Sequence, residues 1–136
     1  MKIVLDTNCL LVAIPKRSVY RWLWNAFREK RFVLCYTNEI LEEYNEIIAD
    51  FYSYELAENL INEILNSENA EPVTVFYKWN LIETDPDDNK FVDCAISFGA
   101  DFIITHDRHF KILDEIDFPK ISTLNLPEFK EVLNSK

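Results

Sequence analysis

Three aspartates stand where an apolar run gives way to whatever follows it. Asp6 comes directly after Ile3-Val4-Leu5, Asp107 follows Phe102-Ile103-Ile104 through Thr105-His106, and Asp88 opens a helix-patterned stretch beyond Val73-Thr74-Val75. Ligands of α/β sheets bind past the carboxyl ends of the strands, so all three acids are expected on one edge. A single acid in such a place reads first as a helix cap that favours the positive end of the helix dipole. Convergence changes that reading, because two carboxylates about 4 Å apart repel by about 4 kcal/mol at an effective dielectric of 20. A hard divalent cation with oxygen ligands, Mg²⁺ or Mn²⁺, offsets the repulsion and keeps positions open for water or phosphate oxygens. The chemistry that follows is phosphoryl transfer to water.

Helical phase selects the remaining acids, since a helix turns about 100° per residue and only its apolar flank can reach the sheet. After Thr37 the apolar residues Ile40, Leu41, Tyr44, Ile47, Ile48 and Phe51 define one face. Glu43 lies about 90° from the centre of that face, whereas Glu39, Glu42 and Glu46 lie about 130° to 170° away and are expected in solvent. Around Phe91, Val92, Ala95, Ile96 and Phe98 the same wheel puts Asp88 within about 20° of the apolar centre and Asp93 roughly 140° from Asp88. Asp88 is expected to point inward and Asp93 is not. The candidate set is therefore Asp6, Glu43, Asp88 and Asp107.

The elements that must carry these acids can be read in order. Ile3–Leu5 and Phe32–Tyr36 are apolar runs halted by Asp-Thr-Asn and Thr-Asn, and both read as buried strands. Thr37 or Asn38 can cap the helix that follows, and a second helix is expected from about Tyr54 to Ser67. A strand at Val73–Val75, a helix from about Asp88 to Phe98 ended by Gly99, a strand at Phe102–Ile104, a strand at Ile121–Leu124 and a helix at Glu128–Leu133 complete the pattern. Continuous apolar strands alternating with helices argue for a parallel sheet covered on both faces.

Composition narrows the class further. The 136 residues, 49% hydrophobic and with a single glycine, contain no linker or repeat, so one domain spanning 1–136 is expected. No stretch is apolar for long enough to cross a membrane. Cys9, Cys35 and Cys94 fit no zinc spacing and cannot all pair, which points to reduced thiols in the cytoplasm. A formal net charge of −10 argues against nonspecific phosphate attraction, so a nucleic-acid substrate would need the anionic edge neutralised by bound cations.

Taken together, Val4-Leu5-Asp6-Thr7-Asn8, Thr37 through Glu43, Asp85-Pro86-Asp87-Asp88-Asn89-Lys90-Phe91 and Ile104-Thr105-His106-Asp107-Arg108-His109-Phe110 resemble the PIN domain. The resemblance implies a three-layer α/β/α domain with a central parallel sheet of four or five strands. It also implies a nuclease that binds Mg²⁺ or Mn²⁺ through Asp6, Glu43, Asp88 and Asp107, with Asn8 and Thr105 supporting the acids by hydrogen bonds. Many members of the family are VapC-type toxins, ribonucleases held by a cognate antitoxin, so an RNA substrate, an antitoxin partner and a homodimer are expected. One position departs from the pattern: His109 stands where many members carry a second acid, and a lone histidine there reads as a surface or packing residue.

Lys90 and Arg108 lie beside the acids and are the cations expected to reach substrate, whereas Lys16, Arg17 and Arg21 read as solvated charges. The helical spacing of Tyr20, Trp22, Trp24 and Phe27 suits core or dimer packing better than base stacking. An aspartyl-phosphate phosphatase would want a second aspartate where Asn8 stands. The rival from another class is a binding module that keeps the fold without catalysis, and a nearer variant is a nuclease acting on DNA.

Overall fold

A computed structural model describes residues 1–135 and shows why the strands are so short. β1 (Lys2–Leu5), β2 (Val33–Tyr36), β3 (Ala70–Pro72), β4 (Phe102–Ile104) and β5 (Thr123–Leu124) form one sheet in the order β3-β2-β1-β4-β5, and every neighbouring pair is parallel. A parallel strand buried on both faces needs side chains that are apolar throughout. Ile3, Val4, Ile103 and Ile104 are each 0% exposed, and the strands end where Asp6 and Thr105 interrupt that run.

Helices α1 (Thr7–Ala13), α2 (Arg21–Arg28), α3 (Asn38–Phe51), α4 (Tyr54–Leu65), α5 (Asn89–Phe98) and α6 (Leu126–Asn134) cover both sides of the sheet. In α3 the buried residues Ile40, Tyr44 and Ile48 fall four apart, so one stripe faces the core. The Thr37 side chain caps that helix by accepting from the Ile40 N–H at 3.1 Å. Tyr44, fully buried, donates its hydroxyl to the Leu5 carbonyl and so fastens α3 to the last residue of β1. On α6, the Phe129 ring packs against Trp22 of α2 and against Phe32 at centroid distances of 6.1 and 5.3 Å. Trp24 and Phe27 are buried and Trp22 is partly so, which is the core-packing role their spacing suggests. Gly99 ends α5 with φ +73°, a left-handed conformation that glycine adopts without steric cost.

Three elements differ from expectation. The third strand lies at Ala70–Pro72 and not at Val73–Val75, because the ladder pairs Leu34, Cys35 and Tyr36 with Ala70, Glu71 and Pro72. Tyr36 is the last residue of β2, so beyond one further bond from the Val73 N–H to its carbonyl the β-branched run has no strand partner among the described residues. Helix α1 and a 3-10 helix at Arg108–Glu115 also lie outside the pattern read from sequence.

β2 and the end of α2 are joined through one buried side chain. Asn69, 8% exposed, donates both amide protons, to the Phe27 carbonyl at 2.9 Å and to the Phe32 carbonyl at 3.0 Å. Asn69→Ala takes the amide donor from the Phe32 carbonyl, while the Phe27 carbonyl keeps the Lys30 N–H at 3.0 Å, so a destabilisation of about 1–2 kcal/mol in urea unfolding is expected. A loss below about 0.5 kcal/mol would mean that water replaces the amide at this point.

Candidate metal centre at the sheet edge

Strand order reverses at β1: the chain runs outward through β2 and β3, then returns to pair β4 on the other side of β1. The crevice at such a reversal is where α/β sheets bind ligands. Leu5 pairs with Ile104, and the Asp6 N–H donates to the Ile104 carbonyl at 3.0 Å, so Asp6 and Thr105 leave the sheet side by side. Thr105 uses its hydroxyl twice, donating to Asp6 Oδ2 at 2.7 Å and accepting from the Asp107 N–H at 2.9 Å.

Asp6 is 6% exposed and begins α1, yet its side chain makes no cap bond. Burial pushes its carboxyl above the usual range; the Thr105 hydrogen bond opposes this, and the charges of Asp107 and Glu43 add to it. Glu43, one residue before the Tyr44 anchor, has both carboxylate oxygens engaged. The Thr7 hydroxyl donates to Oε2, and Lys90 Nζ lies 2.7 Å from Oε1. Glu39, Glu42 and Glu46 are exposed, as their helical phase requires.

Asp88 sits at the junction of a 3-10 turn (Pro86–Asp88) and α5. Asp85 starts the turn, its Oδ1 accepting from the Asp87 N–H at 3.3 Å, and Asn89 fixes the far side by bonding the Ile82 carbonyl and N–H, both at 2.9 Å. Although Asp88 occupies the cap position of α5, it makes no cap bond, and its Oδ2 is buried with no hydrogen-bond partner among the described residues. Burial, followed by the charges of Asp107, Asp85 and Asp6, pushes its carboxyl up to about 7. Helix capping therefore explains neither Asp6 nor Asp88. It does account for part of Asp107, whose Oδ1 accepts from the His109 N–H at 2.9 Å.

Asp85, Asp88, Asp107 and His109 each offer one ligand atom, and these atoms all lie within 4.8 Å of one another. Carboxylate oxygens, one of them buried and unpaired, form the donor set a hard divalent cation takes, so the residues present fit such an ion. Asp85 and His109 are absent from the set read by phase. Asp85 precedes the 3-10 turn with φ −142° and ψ 89°, so no periodicity in the sequence marks it as a neighbour of Asp88.

Two roles, those of Asn8 and Lys90, and the exposure of Asp93 differ from those expected. Asn8 is exposed, and Thr7, one residue earlier, is the side chain that reaches Glu43. Lys90, expected to be open to substrate, has a side chain only 7% exposed, held between Glu43 and Asp87, the latter at 3.3 Å. Burial favours its neutral form, but the bonds and charges of Glu43 and Asp87 together outweigh this and hold the ammonium's pKa above its ordinary value. Asp93 is 5% exposed and not in solvent, because the segment preceding α5 folds over it and the Trp79 N–H donates to its Oδ1 at 3.1 Å. A helix wheel, which sees only the sheet side, has no means of registering that cover.

A family model described as PIN domain matches residues 2–109. No sequence among curated proteins matches the chain. Among solved structures it is similar to VapBC2 from Rickettsia felis, bound there to a DNA fragment from its promoter, with 19% identity, TM-score 0.64, and 92% of this chain and 98% of that one covered. It is also similar to FitAB bound to the IR36 DNA fragment, with 16% identity, TM-score 0.58 and coverages of 91% and 94%. The PIN domain of T. brucei RRP44 matches at 13% identity and TM-score 0.55, over 98% of this chain and 80% of that one.

The raised Asp88 carboxyl sets a direction for pH dependence in chelator. Between its ordinary 3.8 and about 7, native Asp88 keeps a proton that the unfolded chain releases, so its contribution to stability falls as pH rises through that window. Asp88→Asn removes this loss, and its advantage over wild type in urea unfolding should grow to on the order of 1–3 kcal/mol by neutral pH. An advantage that is the same at pH 4 and pH 7.5 would show that the carboxylate ionises without cost.

Proposed function

The chain belongs to the PIN domain family, and we propose that it is a divalent-metal-dependent endoribonuclease that hydrolyses phosphodiester bonds in RNA, acting as the toxin of a toxin–antitoxin pair. Asp6, Glu43, Asp88 and Asp107 are its catalytic and metal-holding acids in this reading. The observation that carries it is the buried, unpartnered Asp88 oxygen inside a group of carboxylates at the strand-order reversal.

A divalent cation bound there, Mg²⁺ or Mn²⁺, supplies charge neutralisation, alignment of phosphate oxygens and easier ionisation of the attacking water. The chain's own residues prepare that chemistry. Thr105 fixes which oxygen of Asp6 faces the crevice, while Thr7 and Lys90 hold Glu43 at its rim. Asp88, kept in place by the Asn89 clasp on Ile82, presents an oxygen that nothing else occupies. Arg108, exposed beside Asp107, is the cation in place to meet a neighbouring phosphate.

Partners follow from the same reading. Two of the similar structures are named as VapBC2 and FitAB assemblies, which supports an antitoxin for this chain. Exposed Phe51, Tyr52 and Tyr54 at the α3–α4 turn supply apolar surface for a protein partner, either that antitoxin or a second copy in a homodimer. A cytoplasmic location suits the free thiols Cys9, Cys35 and Cys94, all buried, with burial pushing Cys9 and Cys35 up to about 12. No helix among the described residues is long and apolar enough to cross a membrane.

Digestion of RNA and DNA side by side, with Mg²⁺, with Mn²⁺ and in chelator, tests the proposal. RNA cleavage that requires the metal, and falls in Asp6→Asn by more than about a hundredfold with the fold intact by circular dichroism, is the expected result. Cleavage of DNA alone would move the assignment to a deoxyribonuclease. If neither polymer is cut and Asp6→Asn retains partner binding, the chain is a binding module.

A further inference from the structure

His109 occupies a position at which an acid would have been unremarkable, and although its side chain is 45% exposed, one ring nitrogen is turned toward the acids. Its Nδ1 lies 3.2 Å from Asp107 Oδ1, 3.6 Å from Asp88 Oδ2 and 3.7 Å from Asp85 Oδ2. One N–H can point at one acceptor, and Asp107 Oδ1 already accepts from the His109 backbone N–H. Three carboxylate oxygens fanned around one imidazole nitrogen, two of them beyond hydrogen-bond length, are poorly explained as a hydrogen-bonded pair.

The same spacing suits a shared ion. An octahedral shell of about 2.1 Å sets adjacent ligands about 3.0 Å apart and opposite ligands about 4.2 Å apart. The four ligand atoms here all lie within 4.8 Å of one another, a shell that closes with shifts of a few tenths of an ångström. Independently, Asp88 is only 9% exposed and its Oδ2, aimed into this group, has no hydrogen-bond partner among the described residues.

We propose that Nδ1 of His109 is a metal ligand, completing with Asp85, Asp88 and Asp107 a mixed nitrogen–oxygen subsite that selects a first-row transition ion, Mn²⁺ in the test below, over Mg²⁺. This rests on the metal-dependent reading above and adds to it which ion the edge prefers and which two residues, Asp85 and His109, set that preference. Mg²⁺ strongly favours oxygen and gives up its waters reluctantly, whereas imidazole is an ordinary ligand for transition ions. An acid at position 109 would give an all-oxygen set that accepts Mg²⁺ equally well.

Pulsed EPR of the Mn²⁺-loaded full chain, grown with ¹⁵N-histidine, reads the ligand directly and without catalysis. A ¹⁵N coupling on Mn²⁺ is expected in wild type, preserved in His106→Gln and absent in His109→Asp. Calorimetry should show wild type binding Mn²⁺ more tightly than Mg²⁺, with that preference falling about tenfold in His109→Asp. Mn²⁺ binding with no histidine coupling, or a coupling that survives His109→Asp, overturns this assignment and leaves the metal-dependent nuclease reading standing. Failure of wild type to bind Mn²⁺ at all overturns both.

Discussion

The controlling constraint is electrostatic: a parallel sheet brings carboxylates to one edge, and they must share that edge in a partly buried setting. Pairing Leu5 with Ile104 leaves Asp6 and Thr105 as neighbours, and Thr105 in turn holds Asp107. α3 adds Glu43, and the turn before α5 adds Asp85 and Asp88. Burial first, and then like charges so placed, raise the proton affinity of Asp6 and Asp88. The chain balances one side of this group with the Lys90 ammonium at Glu43. On the other side, among the described ion pairs, only the His109 imidazole faces Asp85, Asp88 and Asp107.

Much of the core serves to hold that arrangement. The Tyr44 hydroxyl on the Leu5 carbonyl sets the depth of α3, and Glu43 inherits its position from it. The Asn89 amide, bonded twice to Ile82, does the same for Asp88. These are buried, satisfied polar contacts beside an unsatisfied one, so the cost of the Asp88 oxygen is carried by rigid neighbours.

Sequence reading reached the acids that regular geometry governs. Strand ends located Asp6 and Asp107, and the 100° step of a helix separated Glu43 from Glu39 and placed Asp88 inward. It did not reach features set by irregular backbone. The third strand begins at Ala70, ahead of the more strand-like Val73–Val75, because register is fixed by where Tyr36 ends β2. Asp93 is covered by a crossover segment with no periodicity to read, and Asp85 enters through a single 3-10 turn. Thr7 and Asn8 are adjacent hydroxyl and amide candidates that only the direction of α1 distinguishes. Lys90 looked available because sequence shows a charge and its neighbours but not that Glu43 has already engaged it.

The hydrogen bond between Thr105 and Asp6 joins residues 99 positions apart, and it lies at the centre of the acidic edge. Contacts of such long range form late, since the loop entropy between them must be overcome before they contribute. During synthesis the N-terminal strand, its helices and β2 can gather first, but the acids stay scattered until β4 slots in beside β1. A chain in which β4 has unravelled thus carries every acid without a working arrangement of them. If β4 detaches from β1, Thr105 and Asp107 leave with it, and this edge is lost while β1 and β2 stay paired.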